Sequence, residues 1–152
     1  MKDYHALAAR IAAHLGITPY EIRFESIPED ARLYFDCDYI IINKKYKRNY
    51  EEIAKSIAHE YRHIFQREYV KNHDDEIAKI WKEELEKIKN KEVHDYFSYH
   101  SEIDALAYTK YYLQTYENIV VNINNIELDT FINAYLFNQF FELETKRLNI
   151  NK

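Results

Sequence analysis

One glycine and two prolines in 152 residues leave this chain few places to turn tightly. That scarcity points to long helices joined by a small number of connections. Gly16, with Pro19 just beyond, closes an alanine-rich amphipathic stretch, so a first helix is predicted from about Asp3 to Leu15. Three β-prone segments follow at Glu21 to Ser26, Arg32 to Asp36 and Tyr39 to Asn43. Glu21-Ile22-Arg23-Phe24-Glu25 alternates as a strand with one wet face does, and Ile40-Ile41-Ile42 reads as a more buried strand. Helices are predicted again from Asn49 to about Val70, from Asp74 to Asn90 on a stripe of Ile77, Ile80, Trp81, Leu85 and Ile88, around Glu102 to about Glu117, and from Leu128 to Leu148. Val120 to Ile123 is either a short strand or an extended connector. No repeat, linker or low-complexity segment interrupts this order. With 47% hydrophobic residues, the expectation is one α+β domain over residues 1–152, mostly helical with a small three-stranded sheet near the N-terminus.

The helix after Asn49 carries the chemistry. Asn49 suits the N-cap, and Glu51 and Glu52 place negative charge in the first turn, where the helix dipole favours it. Ile53, Ile57, Tyr61 and Ile64 then recur on one face, while His59, His63 and Gln66 point roughly to the opposite side. A helix with apolar residues also at Ala58 and Phe65 is predicted to be central, packed on most of its circumference. His59-Glu60-Tyr61-Arg62-His63 is an HExxH arrangement. Histidines at i and i+4 lie about 40° apart around the axis and about 6 Å apart along it, so both imidazoles reach one small cation. The glutamate beside the first is placed to take a proton from water held by that cation. Seven histidines make the pentapeptide alone weak evidence; its placement opposite the apolar stripe gives it weight.

A catalytic zinc site needs a third protein ligand and an open fourth position. A metzincin would carry Gly and His three and six residues after the second histidine, but Gln66 and Tyr69 stand there, which excludes that class. Downstream, Ser101-Glu102-Ile103-Asp104-Ala105-Leu106-Ala107-Tyr108 is strongly helical, and Glu102 is the expected third ligand. Ala105 and Thr109 are small enough to let the two helices approach closely. Asp104 is the alternative, as ligand or as acceptor for an imidazole N–H, and His100 comes after it. His73 and His94 read as loop or helix-end residues. For stabilising negative charge on a carbonyl oxygen, Tyr99, Tyr108, His100 and Arg62 have suitable chemistry, although Arg62 is expected to pair with a local acid.

HExxH followed some forty residues later by E-x-x-A-x-x-[FY] resembles the gluzincin-type ImmA/IrrE-like metallopeptidases. His59-Glu60-Tyr61-Arg62-His63-Ile64-Phe65-Gln66 is similar to the H-E-x-R-H-x-x-Q variety of small bacterial and phage zincins. Glu102, Asp104, Ala105, Ala107 and Tyr108 reproduce the E-x-D-A-x-A-[FY] segment of those chains. The resemblance spans roughly Asn49 to Tyr116. It departs at Leu106, where Asn or Asp is frequent, and it lacks the usual Met-Pro after that helix. It implies a zincin-like metallopeptidase minidomain that binds Zn2+ through His59, His63 and Glu102, uses Glu60 as catalytic base and takes a protein or peptide substrate. The alternative is a non-catalytic zinc-binding regulatory or interaction protein of a phage or mobile element.

Other classes are disfavoured. A formal charge of −5 provides no general attraction for nucleic acid. The one basic run, Lys44-Lys45-Tyr46-Lys47-Arg48, reads as a solvated turn ahead of the histidine helix. Cys37 alone cannot form an internal disulfide, and between Asp36 and Asp38 it is not a candidate nucleophile. No apolar segment is long enough for a signal-peptide core or a membrane span, so the expected location is the cytoplasm, with no membrane partner.

Overall fold

The computed structural model describes residues 3–34, 36–89 and 99–136. Within them, five α-helices and one three-stranded sheet make an α+β architecture dominated by helix. Helix α1 (Tyr4–Leu15) begins at Asp3, whose carboxylate accepts the His5 backbone N–H at 2.9 Å. It stops at Gly16, held in the left-handed conformation at φ 71°, and the Ile17 N–H closes on the Ala12 carbonyl at 3.0 Å. Two later turns need the same backbone state and obtain it without glycine. Asp38 (φ 54°) precedes the third strand and Asn118 (φ 55°) follows Tyr116, and short polar side chains of this kind tolerate that region best among non-glycine residues.

Strands β1 (Glu21–Glu25), β2 (Ala31–Tyr34) and β3 (Tyr39–Asn43) pair in the order β1-β3-β2. β3 lies parallel to β1, with Ile22 opposite Ile40, and antiparallel to β2, with Leu33 opposite Ile40. As the central strand it buries Ile40, Ile41 and Ile42, while β1 alternates exposed and half-buried residues as its pattern predicts. The second strand, expected at Arg32 to Asp36, ends two residues earlier because Asp36, Cys37 and Asp38 form the turn into β3. β2 is left at the sheet edge.

Helix α2 (Tyr50–Asn72) starts where Asn49 Oδ1 accepts the Glu52 N–H at 3.3 Å. The stripe of Ile53, Ile57, Tyr61 and Ile64 is buried together with Leu7 and Ile11 of α1 and Ile40 and Ile42 of β3, and each such side chain contributes about 1.5–3 kcal/mol. Tyr61 donates its hydroxyl to the Tyr20 carbonyl at 2.6 Å, which ties α2 to the entry of β1. Helix α3 (Glu76–Lys89) buries Trp81 on the expected stripe, with Ile77, Ile80 and Leu85 half-buried; the Ile88 side chain lies outside the described residues.

Helix α4 (His100–Tyr116) runs along α2, with Ala105 and Thr109 buried. Its first turn has no cap from its own N-cap residue Tyr99. Glu84 of α3 does that work from another element: its carboxylate accepts the backbone N–H of His100 at 2.9 Å and of Ser101 at 3.2 Å, which satisfies orphan donors and suits the helix dipole. After α4, Val120 to Ile123 form no strand with any of the described residues, so among them this segment is a connector. Helix α5 (Ile126–Tyr135) begins two residues before the expected Leu128, because Asn125 caps it by accepting the Leu128 N–H at 3.0 Å. Ile132 joins the core. The expected continuation to Leu148 lies outside the described residues, as does His94. Among the described residues no helix is long and apolar enough to cross a membrane.

Candidate metal centre

Pairing of α2 with α4 brings three sequence-predicted residues together. His59 Nε2 lies 2.9 Å from Glu102 Oε1, His63 Nε2 lies 3.1 Å from Glu102 Oε2, and the two Nε2 atoms are 3.2 Å apart. One ligand atom from each falls within 4.8 Å of the others. His63 and Glu102 are buried at 6% and 4% exposure, whereas His59 keeps an open edge toward a cavity of roughly 710 Å3. Glu60 lines the same cavity, as do Ala31 to Leu33 of β2 and Val121 to Ile123 of the connector. Two imidazoles and a carboxylate converging on one point form a donor set that suits Zn2+.

The residues around this group settle which alternatives fall away. Asp104 is fully buried, but its oxygens are taken: Arg62 donates Nε to Oδ2 at 2.7 Å and Nη2 to Oδ1 at 3.0 Å, Gln66 donates to Oδ2 at 2.7 Å, and Tyr135 donates to Oδ1 at 2.7 Å. It stands outside the convergent group, and its hydrogen bonds are to Arg62, Gln66 and Tyr135 rather than to an imidazole. The acceptor facing the imidazole is Gln66, whose Oε1 sits 2.9 Å from His63 Nδ1. His100 is exposed at the start of α4 and stands outside the cluster. His73 stacks on Tyr69, with ring centroids 3.9 Å apart.

The suggested oxyanion donors do not face the cavity. Arg62 is turned onto Asp104 and lies over the rings of Phe65 and Tyr108, and the Tyr108 hydroxyl is 2.9 Å from His14 Nδ1. Neither they nor Tyr99 and His100 line it. Lys55, Ser56 and Thr109 of the helices do. Sequence reasoning set Gln66 on the histidine face without giving it a role, and it missed Glu84 and Tyr135. Gln66 carried a readable signal, since i and i+3 are neighbours on a helix; the other two act from distant elements and carried none.

Electrostatics follow from this crowding. Burial works against a charged His63, but the hydrogen bond and charge of Glu102 outweigh it and hold the imidazole up to about 9. Burial likewise opposes Glu102 ionisation, and His59 and His63 overcome it, keeping the carboxyl well below the usual range. Desolvation lifts the Glu60 carboxyl, the two imidazoles pull it back, and Glu102 adds to the lift. Without metal, the raised His63 contributes stability that is fully present below its ordinary value near 6.5 and is lost as pH climbs through about 9. The depressed Glu102 contributes above its ordinary range and is lost as pH falls through its lowered value.

A cation bound at this point would take the place of the His63 Nε2 proton. Zinc binding at pH 7 is thus expected to release about one proton, and affinity to rise about tenfold per pH unit up to about 9. Calorimetric titration in two buffers of different ionisation enthalpy counts that proton. A count of zero would mean that His63 is already neutral in the metal-free chain at pH 7.

No family model, curated protein or solved structure matches this chain.

Proposed function

We propose that this chain is a zinc-dependent metallopeptidase of zincin-like design, with His59, His63 and Glu102 as metal ligands and Glu60 as general base. The observation that carries the reading is the convergence of the three ligand atoms within 4.8 Å, with Glu60 on the same cavity. Zn2+ held there by His59, His63 and Glu102 would supply Lewis acidity, making a water acidic enough to attack near neutral pH and polarising a carbonyl oxygen. Glu60 accepts the proton of the attacking water and later delivers it to the departing amine. His63 and Glu102, buried between α2 and α4, keep the ligand geometry rigid, and His59 leaves the side toward the cavity open.

The sheet edge supports a peptide as substrate. The Asn43 N–H donates to the Asp30 carbonyl at 2.8 Å, which marks those opposed residues as a hydrogen-bonded pair. Alternation along an antiparallel ladder then turns the backbone groups of Ala31 and Leu33 away from β3 and toward the open edge. An extended segment can pair there by main-chain hydrogen bonds beside the ligands. A closed structural zinc site, the rival design, needs a fourth protein ligand. Among the described residues no fourth His, Cys, Asp or Glu joins the group, which favours the hydrolytic reading.

Cleavage of an unfolded, fluorescently labelled protein tests it. Turnover is expected from the zinc-loaded chain, to disappear on chelation and to return with added Zn2+. A fully zinc-loaded chain that cuts nothing in a diverse library of extended peptides would overturn the peptidase assignment.

A further inference from the structure

We infer that Gln66 is a positioning residue for this metal centre, an inference that rests on the metal reading above: its side-chain carbonyl holds the Nδ1 proton of His63 and so presents the Nε2 lone pair to the cation. An imidazole can carry its proton on either nitrogen, and the wrong tautomer points an N–H at the metal. The choice is made by whatever faces the other nitrogen. Here that group is Gln66 Oε1, 2.9 Å from Nδ1.

An amide can also flip, so the orientation of Gln66 must itself be fixed. Its Nε2 donates to the Ser101 carbonyl at 2.8 Å and to Asp104 Oδ2 at 2.7 Å, both of which can only accept. In the flipped arrangement, Oε1 would face two oxygens and lose both bonds. Gln66 is fully buried, so bulk water offers no substitute. Asp104 is held in turn by Arg62 and by the Tyr135 hydroxyl. Orientation therefore passes from α5 through α4 to His63 on α2, each link with a donor facing an acceptor. The contact with Ser101 adds a second role. Ser101 immediately precedes Glu102, so one side chain fixes both the His63 ring and the backbone beside the ligand from the facing helix.

Three variants test this with Zn2+ alone, by competition against a chromophoric chelator, and with Co2+ absorption as a report on coordination geometry. Gln66→Met keeps length and removes both the acceptor and the donors; it is expected to raise the zinc Kd about 10–100-fold and to alter the Co2+ spectrum. Gln66→Glu keeps an oxygen for the His63 proton but sets a second carboxylate against Asp104. It is expected to bind zinc more tightly than Gln66→Met while unfolding at a lower temperature. Leu7→Ala in the α1 core, which lines no part of the cavity, is expected to lower Tm and leave the zinc Kd within about twofold of the parent chain.

Affinity that simply tracks Tm across the three variants would make Gln66 structural only, and an unchanged Kd in folded Gln66→Met would overturn the inference outright. If Gln66→Met fails to fold, Gln66→Glu binding zinc more tightly than Leu7→Ala at a lower Tm still supports the inference, because a carboxylate facing Nδ1 raises the basicity of His63, and equal or weaker binding overturns it. A parent chain that binds no zinc would instead sink the metal reading, and this inference with it.

Discussion

Glu60→Gln is expected to cut peptide turnover by about 10²–10⁴-fold while one zinc per chain is retained, a loss of about 2.7–5.5 kcal/mol of transition-state stabilisation. The two halves of that expectation come from different atoms. Zinc retention follows because Glu60 contributes no ligand atom; the convergent group is His59, His63 and Glu102. Loss of turnover follows because glutamine has nearly the same shape but accepts no proton. Glu60 lines the cavity next to His59, and desolvation already favours its protonated form, as a proton-accepting carboxylate needs. Turnover of this variant at the parent rate would remove Glu60 from the mechanism. Loss of zinc together with turnover would mean that Glu60 belongs to the metal shell.

The second large effect is on stability. Arg62→Met is expected to destabilise the fold by about 3–5 kcal/mol, since it strands a buried carboxylate. Asp104 has no exposed surface and receives four hydrogen bonds, two of them from Arg62. Removing the guanidinium leaves Gln66 and Tyr135 as its remaining partners and deletes the only positive charge among them. For a chain of this size the drop corresponds to about 6–20 °C in Tm. Arg62→Met with Asp104→Asn, which removes both charges and keeps a side-chain oxygen as acceptor for the buried donors of Gln66 and Tyr135, is expected to recover much of that loss, because the penalty of an uncompensated buried charge disappears with the pair. Thermal unfolding of both variants measures this. A double variant no more stable than the single one would mean that the packing of Arg62 against Phe65 and Tyr108, rather than its charge, is what the fold uses.

What the sequence made legible was local. Asp3 and Gly16 bracket α1, Asn49 opens α2, and the alternation in β1 and the isoleucine run of β3 each follow from residues within one or two turns of themselves. The His59–His63 pair is local in the same sense. Glu102 could be reached because its helix combines an acid near the start with small residues on the approaching side. The sheet order was not legible: nothing in β1, β2 or β3 alone says that the third strand inserts between the first two, and so leaves β2 as the free edge beside the cavity.

Nor was the role of Asp104. On one helix it is an acid two residues past Glu102; only the register between α2 and α4 shows that Arg62 and Gln66 surround it, and only α5 brings Tyr135. Glu84 is likewise one of several acids on a charged helix until α4 is seen to begin against it. These residues meet across elements, where spacing along the chain carries no information.

Anomalous diffraction at the zinc edge from a crystal of the intact chain grown with Zn2+ addresses the metal centre most directly. A single strong peak is expected about 2.0–2.2 Å from His59 Nε2, His63 Nε2 and a Glu102 oxygen, with no fourth protein atom at that distance. A peak elsewhere, none at all, or a tetrahedron completed by another side chain would contradict an open hydrolytic zinc site.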